Sequence, residues 1–265
     1  MNTKFETITL EQNGDFATLS VSREKSLNAL NALVHTELKE CLTLLKDDNP
    51  DNLRGLIFTG AGDKAFIAGA DIVEMSSMTP EQAFNFAVLG QDVSLLFEEL
   101  PFPAIACVNG FALGGGCEMA MSCDFIYATE TAVFGQPEVK LGLIPGFGGT
   151  QRLAKLIGRN NAKELIYTGR NLKVDEAKEL GLVVKVFATK DEMLSAATKT
   201  LEKINANSPL AVSTAKSVMN EGNDLTITEG LKVEAKHFGG IFASYDMKEG
   251  TSAFTEKRKA NFKGE

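Results

Sequence analysis

A triple glycine, Gly114-Gly115-Gly116, runs directly into Cys117-Glu118. A second glycine-rich turn, Pro145-Gly146-Phe147-Gly148-Gly149, follows shortly after Gln136-Pro137-Glu138. Glycine clusters mark places where the backbone turns sharply or approaches something that a side chain would obstruct. A bare N–H at such a turn can reach a ligand oxygen, and at a helix N-terminus the dipole favours negative charge developing there. Glu118 and Glu138 each stand beside one of these turns. A carboxylate in that position can move a proton on whatever the bound oxygen activates.

Each piece also has a plainer reading. A triple glycine serves as a tight turn before a helix, a helical glutamate usually faces solvent, and a loop carboxylate is usually solvated. Glu118 departs from that pattern, because Cys117, Met119, Ala120 and Met121 surround it. A carboxylate among apolar neighbours is uncommon unless it is paired or functional. Two carboxylates folded into one pocket would polarise a single water and deliver a proton, but sequence spacing does not itself bring them together.

The surrounding chain alternates strand and helix signals. Residues 5–11 and 16–22 alternate apolar and polar, with Asn13-Gly14-Asp15 as the hairpin turn between them. Asn31 is a helix cap ahead of an apolar face of Leu33, Val34, Leu38, Cys41, Leu42 and Leu45. Residues 53–59, 103–109 and 124–128 read as strands, and Thr79-Pro80-Glu81-Gln82 as a capping box opening a helix to about residue 99. This alternation predicts an α/β class. Helical signals then dominate over residues 190–205, 209–220, 227–243 and 246–259, with a break at Asn207-Ser208-Pro209. The expected division is a core over residues 1–205 and a helical part over 206–265, too small to fold alone and therefore packed on the core or on another subunit.

The chain has 265 residues, 44% hydrophobic, with a net charge of -8. That is enough for a large core, and the acidic balance argues against a general grip on nucleic acid or an anionic membrane. No apolar run reaches the ~20 residues that span a bilayer, and the N-terminus lacks a signal-peptide core, so a cytoplasmic protein is expected. Cys41, Cys107, Cys117 and Cys123 form no C-x-x-C pair and there are two histidines, which points to reduced, buried thiols and to no metal site. His35 and Cys41, on one predicted helix, are the sole candidates for a thiol–imidazole couple. Gly60-Ala61-Gly62 lacks the third glycine of a dinucleotide fingerprint and reads as a turn. Neither a G-x-x-x-x-G-K-[S/T] phosphate loop nor a G-x-S-x-G elbow is present. Lys257-Arg258-Lys259 is either a solvated helix end or a phosphate contact.

Several segments together resemble the crotonase (enoyl-CoA hydratase) superfamily. They are Ser26-Leu27-Asn28-Ala29-Leu30, Phe66-Ile67-Ala68-Gly69-Ala70-Asp71-Ile72, Asn109-Gly110-Phe111-Ala112-Leu113-Gly114-Gly115-Gly116-Cys117-Glu118, Phe134-Gly135-Gln136-Pro137-Glu138, Pro145 through Leu153, and Ala253 through Lys259. The match runs in order over almost the whole chain. It implies an α/β fold with a spiral core of repeated ββα units and a helical C-terminal trimerisation part. It also implies a homotrimer or a hexamer of paired trimers, and an acyl thioester of coenzyme A as ligand. By the same resemblance, the N–H groups of Ala70 and Gly115 form the oxyanion hole. Glu118 is the base toward a water adding at the β-carbon, and Glu138 supplies a proton to the α-carbon. Ser26, Leu27, Ala68, Ala70, Asp71, Ile72, Val73 and Gly115 contact the CoA ester, and Phe238 and Lys257 reach it from the tail of the same or a neighbouring subunit. No cofactor and no metal are implied, since CoA is part of the substrate.

Both glutamates match hydratase positions, where relatives with other chemistries often lack one or both. The implied activity is therefore reversible syn addition of water to a trans-2-enoyl-CoA, giving a (3S)-3-hydroxyacyl-CoA, with short chains such as crotonyl-CoA. The alternatives are an enoyl-CoA isomerase or another enolate-forming relative, and a non-catalytic CoA-ester or RNA-binding protein. Two departures bear on CoA contacts: Arg23-Glu24-Lys25 lacks the proline often found after that arginine, and Val73 stands where many relatives carry lysine.

Overall fold

The computed structural model describes residues 5–49 and 52–265. Strands β1 (Ile8–Asn13) and β2 (Phe16–Val21) pair antiparallel across the expected turn, with Asn13 opposite Phe16. Gly14 takes the positive φ of +62° that so tight a turn requires. Helix α1 (Ala32–Asp47) starts at Asn31, whose side chain accepts the Val34 N–H at 2.9 Å. Val34, Leu38, Cys41, Leu42 and Leu45 are buried on one face of it. Leu33 is not among them. It lies one residue, about 100° of helix rotation, off that stripe and is 39% exposed.

The chain then winds. Strands β3 (Gly55–Gly60) and β4 (Ala65–Ile67) lead into α2 (Ile72–Met75) and α3 (Pro80–Glu99). Strands β5 (Ala104–Val108) and β6 (Phe111–Leu113) lead into α4 (Gly115–Ser122), and β7 (Phe125–Thr129) and β8 (Val133–Gly135) lead on to α5 (Gly149–Leu156). After these come α6 (Arg159–Thr168), β9 (Asn171–Lys173), α7 (Val174–Glu179), β10 (Lys185–Phe187) and α8 (Lys190–Asn205). The first strand of each unit joins a six-stranded sheet ordered β1-β2-β3-β5-β7-β10, and the second joins a four-stranded sheet ordered β4-β6-β8-β9. The β1–β2 and β8–β9 pairs are antiparallel and the others parallel. Three successive ββα turns thus stack as a spiral, the architecture that the resemblance implied.

Stacking at this spacing leaves no room for side chains at the corners. A Cβ on Gly60 would strike the Phe66 carbonyl, and one on Gly110 the Lys64 carbonyl. Buried Asn109 staples two turns of the spiral: its Nδ2 donates to the Gly62 carbonyl at 2.7 Å, and its Oδ1 accepts the Gly60 N–H at 3.3 Å. Gly60-Ala61-Gly62 is therefore a corner and not a nucleotide loop.

The C-terminal helices are α9 (Pro209–Gly222), α10 (Ile227–Ile241) and α11 (Tyr245–Glu256). The last was expected to run to residue 259; instead Lys257 adopts a left-handed conformation with φ of 55° and caps it. Helix α9 is fastened to the core by Lys216, which is buried. Its Nζ donates to the carbonyls of Phe97 (2.9 Å) and Phe102 (3.1 Å) and pairs with Asp124 (2.9 Å). Asn220 Nδ2 donates to the Glu98 carbonyl at 3.0 Å. Carbonyls at the end of α3, which have no intrahelical donor, are thereby satisfied from α9. Helix α10 packs on α9 and leaves Ile227, Leu231, Phe238 and Phe242 exposed. Replacing Lys216 by alanine removes the cation from three acceptors and leaves Asp124 with the Ala104 N–H as its partner. The expected cost is about 3 kcal/mol, seen as a lower midpoint in urea denaturation; an unchanged midpoint would mean that α9 adds nothing to the stability of the core.

Candidate active site

Helix α4 begins where it does because Gly114 takes φ 49° and ψ -123°, a conformation closed to L side chains. A Cβ there would also lie 2.7 Å from Glu138 Oε1. Gly116 lets the helix start lie against β4, since a Cβ would strike the Ile67 carbonyl. The Gly115 N–H sits in the first turn of α4, where no intrahelical acceptor exists.

Ala70 lies in a neighbouring loop. A Cβ on Gly114 would stand 3.9 Å from the Cα of Gly69, so the two loops touch one residue before Ala70 and Gly115. Leu30 and Ala70 form a parallel bridge in which the Leu30 N–H donates to the Gly69 carbonyl (2.9 Å) and the Asp71 N–H to the Leu30 carbonyl (2.7 Å). Neither bond uses the N–H of Ala70, which, by the alternation of an extended backbone, points away from Leu30.

Glu118, one turn into α4, is 1% exposed. Its Oε1 accepts two backbone N–H groups, from Phe147 at 2.8 Å and Gly149 at 2.6 Å. The second glycine turn therefore wraps the carboxylate that the first one positions. Gly148, at φ +111°, gives the turn its shape, and a Cβ on Gly149 would press within 2.9 Å of Glu118 Oε1. Burial pushes the Glu118 pKa above the ordinary carboxylate value, while the Gly149 and Phe147 N–H groups and the Arg152 cation oppose that rise. The ordinary solvent-facing role of a helical glutamate is ruled out by this burial. Glu138 opens a short 3-10 turn, Glu138–Leu141. Burial raises its pKa to about 7, its own backbone N–H opposes, and the charge of Glu118 raises it further. Each carboxyl group thus lies within the other's field. Gln136 is fully buried beside them, and in the amide orientation that satisfies both its ends its nitrogen donates to the Glu138 oxygens at 3.1 and 3.3 Å.

A sequence model of a family described as Enoyl-CoA hydratase/isomerase matches residues 11–265. The chain belongs to the enoyl-CoA hydratase/isomerase family. It is 48% identical over 258 residues to a crotonyl-CoA hydratase of Syntrophomonas wolfei, covering 97% of this chain and 98% of that one. It is 45% identical over 252 residues to a short-chain-enoyl-CoA hydratase of Clostridium acetobutylicum, covering 95% of each. The crystal structure of an enoyl-CoA hydratase from Bacillus anthracis superposes with a TM-score of 0.93 at 41% identity, covering 98% of this chain and all of the other.

The fold of this enoyl-CoA hydratase/isomerase family member gathers most of the sequence-predicted residues. Ser26 and Leu27 lie beside residues 68–71, with the Ala68 N–H donating to the Leu27 carbonyl at 3.1 Å. Leu27 and Asn28 both have positive φ (50° and 58°). Buried Asn28 holds that shape, accepting the Arg23 N–H at 2.9 Å and donating to the carbonyls of Ala61 and Ala65 at 3.0 and 2.9 Å. Arg23 Nη2 pairs with Asp71 at 3.1 Å, so the loop is fixed without the proline that this chain lacks. Ile72 and Val73 stand out from α2 into solvent. Phe238 and Lys257 are exposed, on α10 and at the end of α11, and no hydrogen bond among the described residues ties either side chain to the loops around Glu118.

Arg258, by contrast, is committed to Glu249 and Glu256. His35 and Cys41 are no catalytic couple. Both are buried, His35 packs edge-on against Phe86 and Phe147, and burial lowers its pKa to about 4 and raises that of the Cys41 thiol to about 12. All four cysteines are buried and free.

Gln136, Gly149 and Arg152 have no separate roles in the sequence reading, though all three lie in the motifs it singled out. A buried glutamine and a backbone donor carry no periodic signature. Following the Glu138 carboxyl carbon by ¹³C NMR should give a midpoint near 7, and Glu118→Gln should lower it, because a negative charge that opposes ionisation is removed. A midpoint near the ordinary glutamate value, or one unmoved by the substitution, would separate the two carboxylates.

Proposed function

We infer that the protein is an enoyl-CoA hydratase, adding water reversibly to short-chain trans-2-enoyl-CoA thioesters to give (3S)-3-hydroxyacyl-CoA. The observation that carries this reading is the pair Glu118, almost wholly buried with its pKa raised by that burial, and Glu138, whose pKa is raised to about 7, gathered at the touching loops that carry Ala70 and Gly115. The names of the two relatives at 48% and 45% identity agree with it, including the short acyl chain.

In this reading the thioester carbonyl lies between the N–H groups of Ala70 and Gly115, which stabilise the enolate oxygen as charge develops. Glu118 Oε1 is taken up by its two N–H donors, leaving Oε2 to accept a proton from the attacking water. The water oxygen bonds to the β-carbon while its proton passes to Glu118, and Glu138 gives its proton to the α-carbon. Atoms balance: the pair ends with its single proton on Glu118, and exchange with solvent resets it. An isomerase needs no water and no second carboxylate, and the presence of both favours hydration.

Residues 1–205 carry the site in this proposal, and residues 206–265 carry assembly into a trimer or a dimer of trimers. The support is the exposed apolar set Ile227, Leu231, Phe238, Phe242 and Phe254 on an otherwise acidic chain. Ser26, Leu27, Ala68, Asp71, Ile72 and Val73 line the CoA path, with Phe238 and Lys257 closing on it from the tail of the same or a neighbouring subunit. The chemistry calls for no metal and no redox cofactor. A cytoplasmic location belongs to the same proposal; no helix among the described residues is long and apolar enough to cross a membrane. Glu118→Gln and Glu138→Gln should each lower kcat for crotonyl-CoA hydration by roughly 10²- to 10⁴-fold while the Kd for the CoA ester changes little. Wild-type turnover in either variant would remove the assignment.

A further inference from the structure

We propose that Arg152, pinned by Glu98, is a positioning residue for Glu118, acting through the loop that holds that carboxylate. The inference rests on the hydratase reading above. The residue that matters is Phe147. Its N–H donates to Glu118 Oε1 at 2.8 Å, and its carbonyl accepts from Arg152 Nη1 at 3.1 Å. Arg152 is itself held, since its Nε donates to Glu98 Oε1 at 2.6 Å on α3. The guanidinium passes over Gly148, where any Cβ would collide with it. The same helix holds the loop a second time: Gln91 Nε2 donates to the Gly146 carbonyl at 2.8 Å. Gln91 and Glu98 are two helical turns apart and share one face of α3. The donors to Glu118 are thus fixed to α3 at two points, one of which carries a positive charge toward the buried carboxylate.

That charge gives the arrangement a measurable signature. The titratable or charged groups around Glu118 are Glu138, Arg152 with its partner Glu98, the Cys117 and Cys123 thiols, and His35 beyond the Phe147 ring. The thiols are kept neutral by burial, and so is His35. Arg152 favours the ionised form of Glu118, and Glu98 partly offsets Arg152. Removing either one therefore moves Glu118 in opposite directions, which general damage to the loop cannot do.

The experiment is the pH dependence of kcat for crotonyl-CoA hydration, paired with ¹³C NMR titration of the Glu118 carboxyl, in wild type and three variants. Arg152→Gln should lower kcat roughly 10- to 100-fold with KM within about threefold, and should shift the acid limb and the Glu118 midpoint to higher pH. Glu98→Gln should shift both to lower pH. Arg152→Lys, which keeps the charge but not the planar fork, should leave the limb near its wild-type position with kcat still reduced. Limbs that stay in place, or that move the same way in Arg152→Gln and Glu98→Gln, overturn the proposal, and Glu98→Gln decides it if Arg152→Gln does not fold. Absence of crotonyl-CoA hydration in the wild type would instead remove the hydratase reading, and the carboxyl titration would still judge Arg152.

Discussion

Glu118 lies in the interior of the protein, and two backbone N–H groups from Phe147 and Gly149 meet one of its oxygens there. A carboxylate taken out of water without such partners costs several kcal/mol, and a loop whose N–H groups point inward without an acceptor is also unfavourable. The two features answer each other, and much of the site follows from that. The second turn must be glycine-rich because a side chain at residue 149 would collide with the carboxylate oxygen, and the first because a side chain at residue 114 would collide with Glu138. The loop is braced from α3 by Gln91 and, through Arg152, by Glu98. Helix α9 in turn bonds to carbonyls at the end of α3, so the helical C-terminal region reaches the loop around Glu118 through one intervening helix.

What could be read from the sequence was whatever short-range chemistry decides. The hairpin signal Asn13-Gly14-Asp15, the Asn31 cap and the Thr79–Gln82 capping box are each complete within a few residues, and each appears, although Asn13 itself pairs in the strand and the turn narrows to Gly14-Asp15. The division of strands between two sheets was not legible from pattern, because β4, β6 and β8 have only three residues each, too few for a period. It entered only through the family resemblance. Residue type puts Leu33 on the apolar face of its helix, yet rotation by one residue turns it outward. Lys257 ends α11 in a left-handed conformation that no nearby glycine announces.

The site divides in the same way. The apolar neighbours of Glu118 mark it as unusual, and its burial agrees with them. Its contact with a turn some thirty residues later depends on how the spiral stacks, which no local pattern encodes. Gln136 illustrates the limit: it is buried completely and its amide lies against Glu138, yet between a glycine and a proline it offers no periodicity by which to recognise it.

In the proposed hydration Glu118 and Glu138 form a pair that carries one proton, on Glu138 before hydration and on Glu118 before dehydration. These are two arrangements of a single protonation state, so the pH profile belongs to the pair and not to either residue. The equilibrium between the enoyl and hydroxyacyl thioesters consumes no proton, which requires the two directions to depend on pH alike. The most direct measurement is therefore kcat/KM against pH for hydration of crotonyl-CoA and for dehydration of (3S)-3-hydroxybutyryl-CoA. The account predicts one bell in both directions, with activity lost above about 7 as Glu138 gives up the pair's proton and lost again at lower pH as a second proton binds. A plateau that persists well above neutrality would contradict it, because the pair would then work with no proton to give.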